Sequence, residues 1–242
     1  MTDTIAASEP NAKSLPARIF GVFTAPRATY ADVAARPRWF GVLALVVVIG
    51  AAGIYTFMST DIGKQAMLDQ QVRMMESFGI KMTDAAYQRL EEGLGRAAIT
   101  GALGQAIGLP VAAVIVAGIL LGVFNAIMGG NASFVQVFAI VSHSSVVLAL
   151  AQLFVLPLAY ARETMAGATN LAVFLPFLDD ASFLARFLGS IDLFYIWWMV
   201  SLSIGLGVLY RKRTGPIAVS ILVVYAGIAL VVAAARTALA GA

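Results

Sequence analysis

The run Phe134–Pro157 (FVQVFAIVSHSSVVLALAQLFVLP) constrains the fold most, because its 24 residues carry no formal charge. About 20 apolar residues in a helix cross the ~30 Å hydrocarbon core of a bilayer. The run therefore predicts a transmembrane helix. Near its middle lies the single histidine of the chain, His143, in a polar cluster with Ser142, Ser144 and Ser145.

The composition supports a membrane protein. Of the 242 residues, 60% are hydrophobic and 12% are charged, whereas soluble domains carry about 25% charged residues. The formal charge is only +3, and no basic face interleaved with aromatic residues is found, so no nucleic-acid partner is expected. Because there is no cysteine, disulfides, thiolate catalysis and cysteine metal sites are excluded.

The fold class follows from the apolar runs: an all-α integral membrane protein, built as a bundle of five transmembrane helices. The predicted spans are 39–58, 99–128, 134–157, 191–210 and 216–235. Residues 15–236 are expected to form one membrane domain between tails at 1–14 and 237–242, the first of them disordered. The polar segment Met1–Arg38 does not have the pattern of a cleavable signal peptide.

Two polar segments predict helices beside the spans. Residues 15–38 fit two short amphipathic helices, the first capped by Ser14, which either lie in the headgroup region or pack on the protein's own spans. Residues 61–96 fit an extracytoplasmic helical hairpin, with Thr83 as the N-cap of its second helix.

The distribution of basic residues predicts the orientation. With the N-terminus inside, inner and outer segments each hold eight Lys and Arg residues, so the totals do not decide. Arg211–Arg213 crowd one five-residue turn, however, and Arg36 and Arg38 flank the first span. Short loops and span-flanking positions count most in the positive-inside rule. We therefore expect a cytoplasmic N-terminus and an extracytoplasmic C-terminus, in the cytoplasmic (inner) membrane.

Glycine patterns in the second span predict close helix packing. Two GxxxG pairs, which let backbones approach in lipid, are expected to pack against other helices of the same chain: Gly104 with Gly108, and Gly118 with Gly122. The following GGNAS segment (Gly129–Ser133) predicts a tight turn, so that the second and third spans form an antiparallel hairpin.

Two interpretations of the polar cluster remain open. At a rise of about 1.5 Å per residue, His143 lies near the midplane, with Ser201 and Ser203 of the fourth span at a similar depth. Either His143 lines a polar, proton-responsive cavity, or it is a neutral imidazole that holds helices together through a serine or a backbone carbonyl. The second is favoured, because no carboxylate is expected at this depth. Asn125 lies near the inner end of the second span, and Asp192 stabilises the start of the fourth helix.

Motifs for catalysis were not found. The sequence has no Walker loop, no HExxH and no GxSxG, and its lone histidine is insufficient for a zinc site. No catalytic, metal-binding or cofactor-binding residue is assigned, and no enzymatic activity is expected.

Three stretches together resemble one family: Ile19–Pro37 (IFGVFTAPRATYADVAARP), Gly129–Leu158 (GGNASFVQVFAIVSHSSVVLALAQLFVLPL) and Ile191–Ala218 (IDLFYIWWMVSLSIGLGVLYRKRTGPIA). They are similar to bacterial members of the Yip family, and the resemblance covers most of Leu15–Val232. It implies five spans and a cytoplasmic N-terminus. Eukaryotic relatives bind Rab GTPases, but their Asp-Leu-Tyr-Gly-Pro-like motif is replaced here by Thr24-Ala25-Pro26-Arg27. Rab binding is therefore not expected.

Two functions follow as expectations. The first is a membrane-organising or scaffold protein that binds lipids, a partner protein or a second copy of itself. The alternative is a transporter, channel or lipid-moving protein, with a polar path lined by His143, Ser145, Ser201 and Ser203. Inverted repeats would favour the alternative, but an odd number of spans offers no obvious pair of halves.

Overall fold

The computed structural model describes residues 13–165, 167–179 and 182–240. Within these ranges the chain is helical and contains no strand, which confirms the all-α class; the predicted tail 1–14 lies outside them except for Lys13 and Ser14. The α-helices are α1 (Leu15–Thr24), α2 (Pro26–Ala35), α3 (Phe40–Met58), α4 (Asp61–Ser77), α5 (Asp84–Gly93), α6 (Ala97–Leu121), α7 (Phe134–Ser144), α8 (Val146–Ala161), α9 (Phe183–Gly189), α10 (Leu193–Leu209) and α11 (Thr214–Ala240). Short 3₁₀ turns occur at Leu94–Arg96 and Leu171–Phe174, and a π-helical turn at Gly122–Ile127.

Four helical stretches in the described residues are long and apolar enough to cross a membrane, at Phe40–Met58, Asp84–Ile127, Phe134–Ala161 and Thr214–Leu239. The fifth predicted span corresponds to α10, which has 17 residues and a length of about 25 Å. That length is at the lower limit for a spanning helix. Nevertheless α10 lies inside the bundle, where it packs on α2, α7, α8 and α11.

Some predicted boundaries are corrected. The third span divides at Ser145 into α7 and α8 and continues past Pro157 to Ala161. A proline removes only one donor, which neighbouring groups replace in transmembrane helices. The last helix extends through Ala240, so the described part of the predicted tail 237–242 is helical. Its alanine-rich end favours helix propagation.

Helices α1 and α2 form an antiparallel hairpin that packs on the spans. Ser14 caps α1 by accepting a hydrogen bond from Ala17 N. The helices cross closely at Gly21, because a Cβ atom placed there would overlap the Thr29 hydroxyl. Residues on both helices enter the same buried core as α7 and α10: Val22, Tyr30, Val33, Val137, Ile140, Leu202 and Leu206.

The hairpin reaches deep into the bundle. The ring of Phe23 contacts that of Trp197 at 5.5 Å between centroids, and Tyr30 contacts Ser201, the middle residue of α10. Of the two placements that the sequence left open for this segment, the structure has packing on the spans.

The segment 61–96 forms two helices, as predicted, but the second, α5, continues through a 3₁₀ turn into α6 and does not form a separate packed hairpin with α4. Thr60 and Thr83 cap the two helices by accepting hydrogen bonds from backbone N–H groups. Ala66 of α4 packs on the end of α3 at Phe57 and Met58, in a cluster that also includes Ala97 and Ala159. The insertion therefore rests on one end of the bundle.

Candidate functional site

The start of α7 is fixed to the end of α2. Ser133 and Gln136 form a capping box, in which each side chain accepts a hydrogen bond from the backbone N–H of the other. The amide of Gln136 also donates to the Ala34 carbonyl at 3.1 Å. These bonds orient α7 so that His143, two turns further on, faces the hairpin side of the bundle core.

His143 is completely buried. Its Nδ1 lies 2.7 Å from the carbonyl oxygen of Ala139, and since a carbonyl only accepts, this bond places a proton on Nδ1. Its Nε2 has no hydrogen-bond partner among the described residues. The neighbouring serines bond to their own helix: Ser142 to Phe138 O at 2.8 Å, and Ser144 and Ser145 to Val141 O at 2.8 and 2.9 Å.

A buried ion pair lies close to His143. Arg18 Nε is 2.8 Å from Asp32 Oδ2, and the two side chains are 3% and 13% exposed. Arg18 also donates to the Arg36 carbonyl at 3.2 Å. Both charges are within electrostatic reach of His143. The hairpin thus carries the carboxylate of Asp32 into the bundle, a group that the sequence analysis did not associate with His143.

A pattern in the sequence could have revealed this pair. In an antiparallel hairpin, residues equally far from the turn lie opposite each other. Arg18 and Asp32 are each seven positions from Ala25, and Gly21 and Thr29 are each four positions from it. This symmetry predicts both the ion pair and the close crossing of the two helices.

The hydroxyl of Tyr30 joins the hairpin to α10, a contact that the sequence analysis missed. Its oxygen lies 2.6 Å from Ser201 Oγ, and both side chains are buried. Burial raises the pKa of Tyr30, so its phenol stays protonated and available for this bond. Ser203 instead donates to Met199 O on its own helix at 2.6 Å. Of the two serines predicted to meet the polar cluster, only Ser201 reaches another helix through its side chain.

Removal of the Tyr30–Ser201 bond tests its role in holding α2 on α10. Tyr30→Phe is expected to lower the free energy of unfolding by about 1–3 kcal/mol, because it leaves the Ser201 hydroxyl buried without its partner. Ser201→Ala should give a loss of similar size, and the double variant less than the sum. Denaturation in mixed detergent micelles measures all three. Strictly additive losses would show that the two hydroxyls do not interact.

The predicted packing glycines do not pack within the chain. A Cβ atom added to Gly104, Gly108, Gly118 or Gly122 would meet nothing within 4 Å. All four are exposed: Gly104, Gly108 and Gly118 in α6, and Gly122 at the start of the π-helical turn. Close approaches occur elsewhere: a Cβ on Gly101 would lie 2.9 Å from Ile54 Cγ2, and one on Gly205 would lie 2.5 Å from Ile140 Cγ2.

Asn125 belongs to a separate polar group at the turn between α6 and α7. It lies in the π-helical turn, donates to Ala132 O at 2.8 Å and accepts a hydrogen bond from the Tyr210 hydroxyl at 2.9 Å. Phe124 stacks on the Tyr210 ring, with 4.7 Å between centroids. Asn125 therefore fastens the turn to the end of α10 and does not join the cluster around His143.

Asp192 is the N-cap of α10. Its Oδ1 accepts hydrogen bonds from Phe194 N at 2.8 Å and Tyr195 N at 3.2 Å. Its Oδ2 accepts from the Thr169 hydroxyl, and its backbone N–H donates to the Tyr225 hydroxyl at 3.1 Å. The Asp192 carboxylate thus connects α10 with the preceding loop, and the Asp192 backbone N–H connects α10 with α11.

Three cavities in the described part of the chain differ in the residues that line them. The first, of about 550 Å³, lies between α6, α10 and α11. The second, of about 450 Å³, is lined by Gln105, Ser145 and Gln152 among others, and the third measures about 300 Å³. Trp198 lines the first two, and its indole Nε1 has no hydrogen-bond partner among the described residues. His143, Ser201 and Ser203 line none of the three.

The sequence of the chain matches one known protein family. The Yip1 domain matches residues 20–235, which include most of the described helices. The chain belongs to the Yip1 domain family. No curated protein and no solved structure matches the chain.

The Yip1 domain match confirms the family that the three sequence stretches predicted. It contains Tyr30, Asp32, His143 and Ser201 and begins two residues after Arg18. The family match and the four long apolar helices together establish an integral membrane protein. In the residues that the structure describes, no group of three or more His, Cys, Asp or Glu side chains is placed to hold a metal ion.

Proposed function

We propose that this Yip1 domain protein is a non-enzymatic membrane-organising protein, a scaffold that binds membrane lipids, a partner protein or a second copy of itself. The observation that carries the proposal is the closure of the polar centre. Arg18 pairs with Asp32 and Tyr30 with Ser201, whereas His143 bonds to its own backbone through Nδ1 and its Nε2 has no partner among the described residues. The two paired contacts hold helices together and stabilise a rigid bundle, whereas the open features of the protein lie on its outer surface.

The proposed topology has five spans, with α10 as the fourth, in the cytoplasmic (inner) membrane. The bonds Gln136–Ala34 and Tyr210–Asn125 support it, because they bring the end of α2 and the end of α10 to the same turn before α7. The basic residues that follow these two helices then share one side. By the positive-inside rule this side is cytoplasmic, which leaves the C-terminus extracytoplasmic.

A transport path around His143 finds less support. Of the four residues predicted to line it, only Ser145 lies at a cavity, and that cavity is separate from the imidazole. The proposal therefore keeps the polar centre as a structural element.

Labelling of single introduced cysteines distinguishes a scaffold with a closed centre from a transporter with a water-filled path. Because the natural chain has no cysteine, each variant carries only one reactive thiol. Ser203→Cys is expected to resist a water-soluble maleimide in native membranes, because Ser203 is buried and lines no described cavity. The exposed Gly215→Cys, at the start of α11, is the matched reactive control. Modification of both cysteines at similar rates would contradict the closed centre and support a water-filled path.

A further inference from the structure

The first of the cavities described above is an apolar groove between α6 and α11, with α10 as its floor. Its volume is about 550 Å³, within the usual range of ligand sites. Aliphatic side chains cover its walls, among them Leu120 of α6, Val123 of the π-helical turn that follows α6, and Ile221 and Val224 of α11. In a membrane protein such walls favour a hydrocarbon chain.

One end of the groove is basic. Lys212 and Arg213, in the turn between α10 and α11, line it and are exposed. None of the ion pairs found among the described residues involves either side chain. Because the turn directly follows an apolar helix, these cations lie where lipid headgroups are found. The groove thus combines a long apolar part with two cations at one end.

We propose that this groove binds one anionic glycerophospholipid, with the phosphate headgroup at Lys212 and Arg213 and an acyl chain between α6 and α11. Anionic headgroups are attracted by basic residues at the membrane surface and by basic pockets between transmembrane helices. The inference deepens the proposed membrane-organising function by naming the class of lipid and the place where it binds.

The size of the groove favours a lipid chain over a helix of another protein. A transmembrane helix is 10–12 Å wide and about 30 Å long, so its volume is several times that of the groove. An acyl chain is narrow and flexible and can enter from the bilayer without moving the helices. The two cations match one anionic headgroup, whereas an apolar helix would leave them without a partner.

Native mass spectrometry of the full chain in mild detergent tests the proposal. The protein is titrated with phosphatidylglycerol and with phosphatidylcholine that carry identical acyl chains. The wild-type protein should prefer phosphatidylglycerol, and Lys212→Ala/Arg213→Ala should weaken its binding about tenfold or more while phosphatidylcholine binding changes little. The control Arg89→Ala/Arg96→Ala removes two basic residues elsewhere and should keep the preference. Equal binding of both lipids by the wild-type protein, or a preference that survives in Lys212→Ala/Arg213→Ala, would overturn the proposal.

A second variant tests the apolar part. Val123→Trp fills the groove and should reduce binding of both lipids, whereas Ile115→Trp, on an exposed part of α6 outside the groove, should not. If Val123→Trp instead abolishes a dimer and leaves lipid binding intact, the occupant is a second copy. The lipid-binding results do not depend on the cysteine-labelling results, so failure of the lipid site can be distinguished from failure of the proposed function. A closed centre without lipid preference contradicts only the lipid site, whereas rapid labelling of Ser203→Cys contradicts the proposed function.

Discussion

Asp32→Ala is expected to lower the free energy of unfolding by about 3–5 kcal/mol, because it leaves the Arg18 guanidinium buried without a carboxylate. The Arg18 side chain is only 3% exposed. Titration with sodium dodecyl sulfate in mixed micelles, followed by circular dichroism, measures the loss. Asp32→Asn keeps the shape but removes the charge, so most of the loss should persist.

Two controls distinguish the ion pair from a general sensitivity of the protein. Arg18→Met/Asp32→Leu removes both charges and should recover most of the stability, because well-packed apolar residues can replace a buried pair. Asp61→Ala breaks an exposed pair with Lys64 at 3.4 Å and should change stability little. If Asp32→Ala is as stable as Asp61→Ala, the pair is not a structural element.

Gly205→Leu is expected to cost about 3 kcal/mol or more through overpacking. A Cβ atom at this position would lie 2.5 Å from Ile140 Cγ2 and 3.0 Å from Tyr30 Cδ1. The larger side chain would therefore push α10 away from both α7 and the hairpin. The same denaturation experiment measures the effect. Gel filtration of the purified variant in detergent shows whether the folded bundle survives.

Gly118→Leu is the matched control, since a Cβ at Gly118 meets nothing within 4 Å. From the sequence alone, Gly118 was expected to pack within the chain, so its substitution should have been severe. The structure instead predicts a small effect at Gly118 and a large effect at Gly205. Equal losses of monomer stability at Gly118 and Gly205 would contradict the helix packing described above.

The sequence predicts features that depend on neighbouring residues along the chain. It misses features that depend on which faces of the helices pack against each other. Apolar length identified four spans, and Ser14, Thr83 and Ser133 were recognisable as caps because capping involves only neighbouring residues. The GxxxG pattern shows where helices can approach, but not whether a partner is present on that side of α6.

The candidate site was predicted only in part. The sequence identified His143 and Ser201 as polar residues inside apolar helices, and both are buried. The hairpin residues Arg18, Tyr30 and Asp32 were not included, because an amphipathic segment can lie either on the lipid surface or against the protein. That choice depends on the shape of the space between α7 and α10, and this space forms only after the bundle has assembled.

The bond between Tyr30 and Ser201 joins residues 171 positions apart. At a synthesis rate of about 5–20 residues per second, the ribosome makes α10 roughly ten seconds or more after the hairpin. During this interval Arg18 and Asp32, 14 positions apart, can already pair, since both belong to the hairpin. The hairpin can thus form on its own, but its bond to α10 has to wait until that helix has been synthesised.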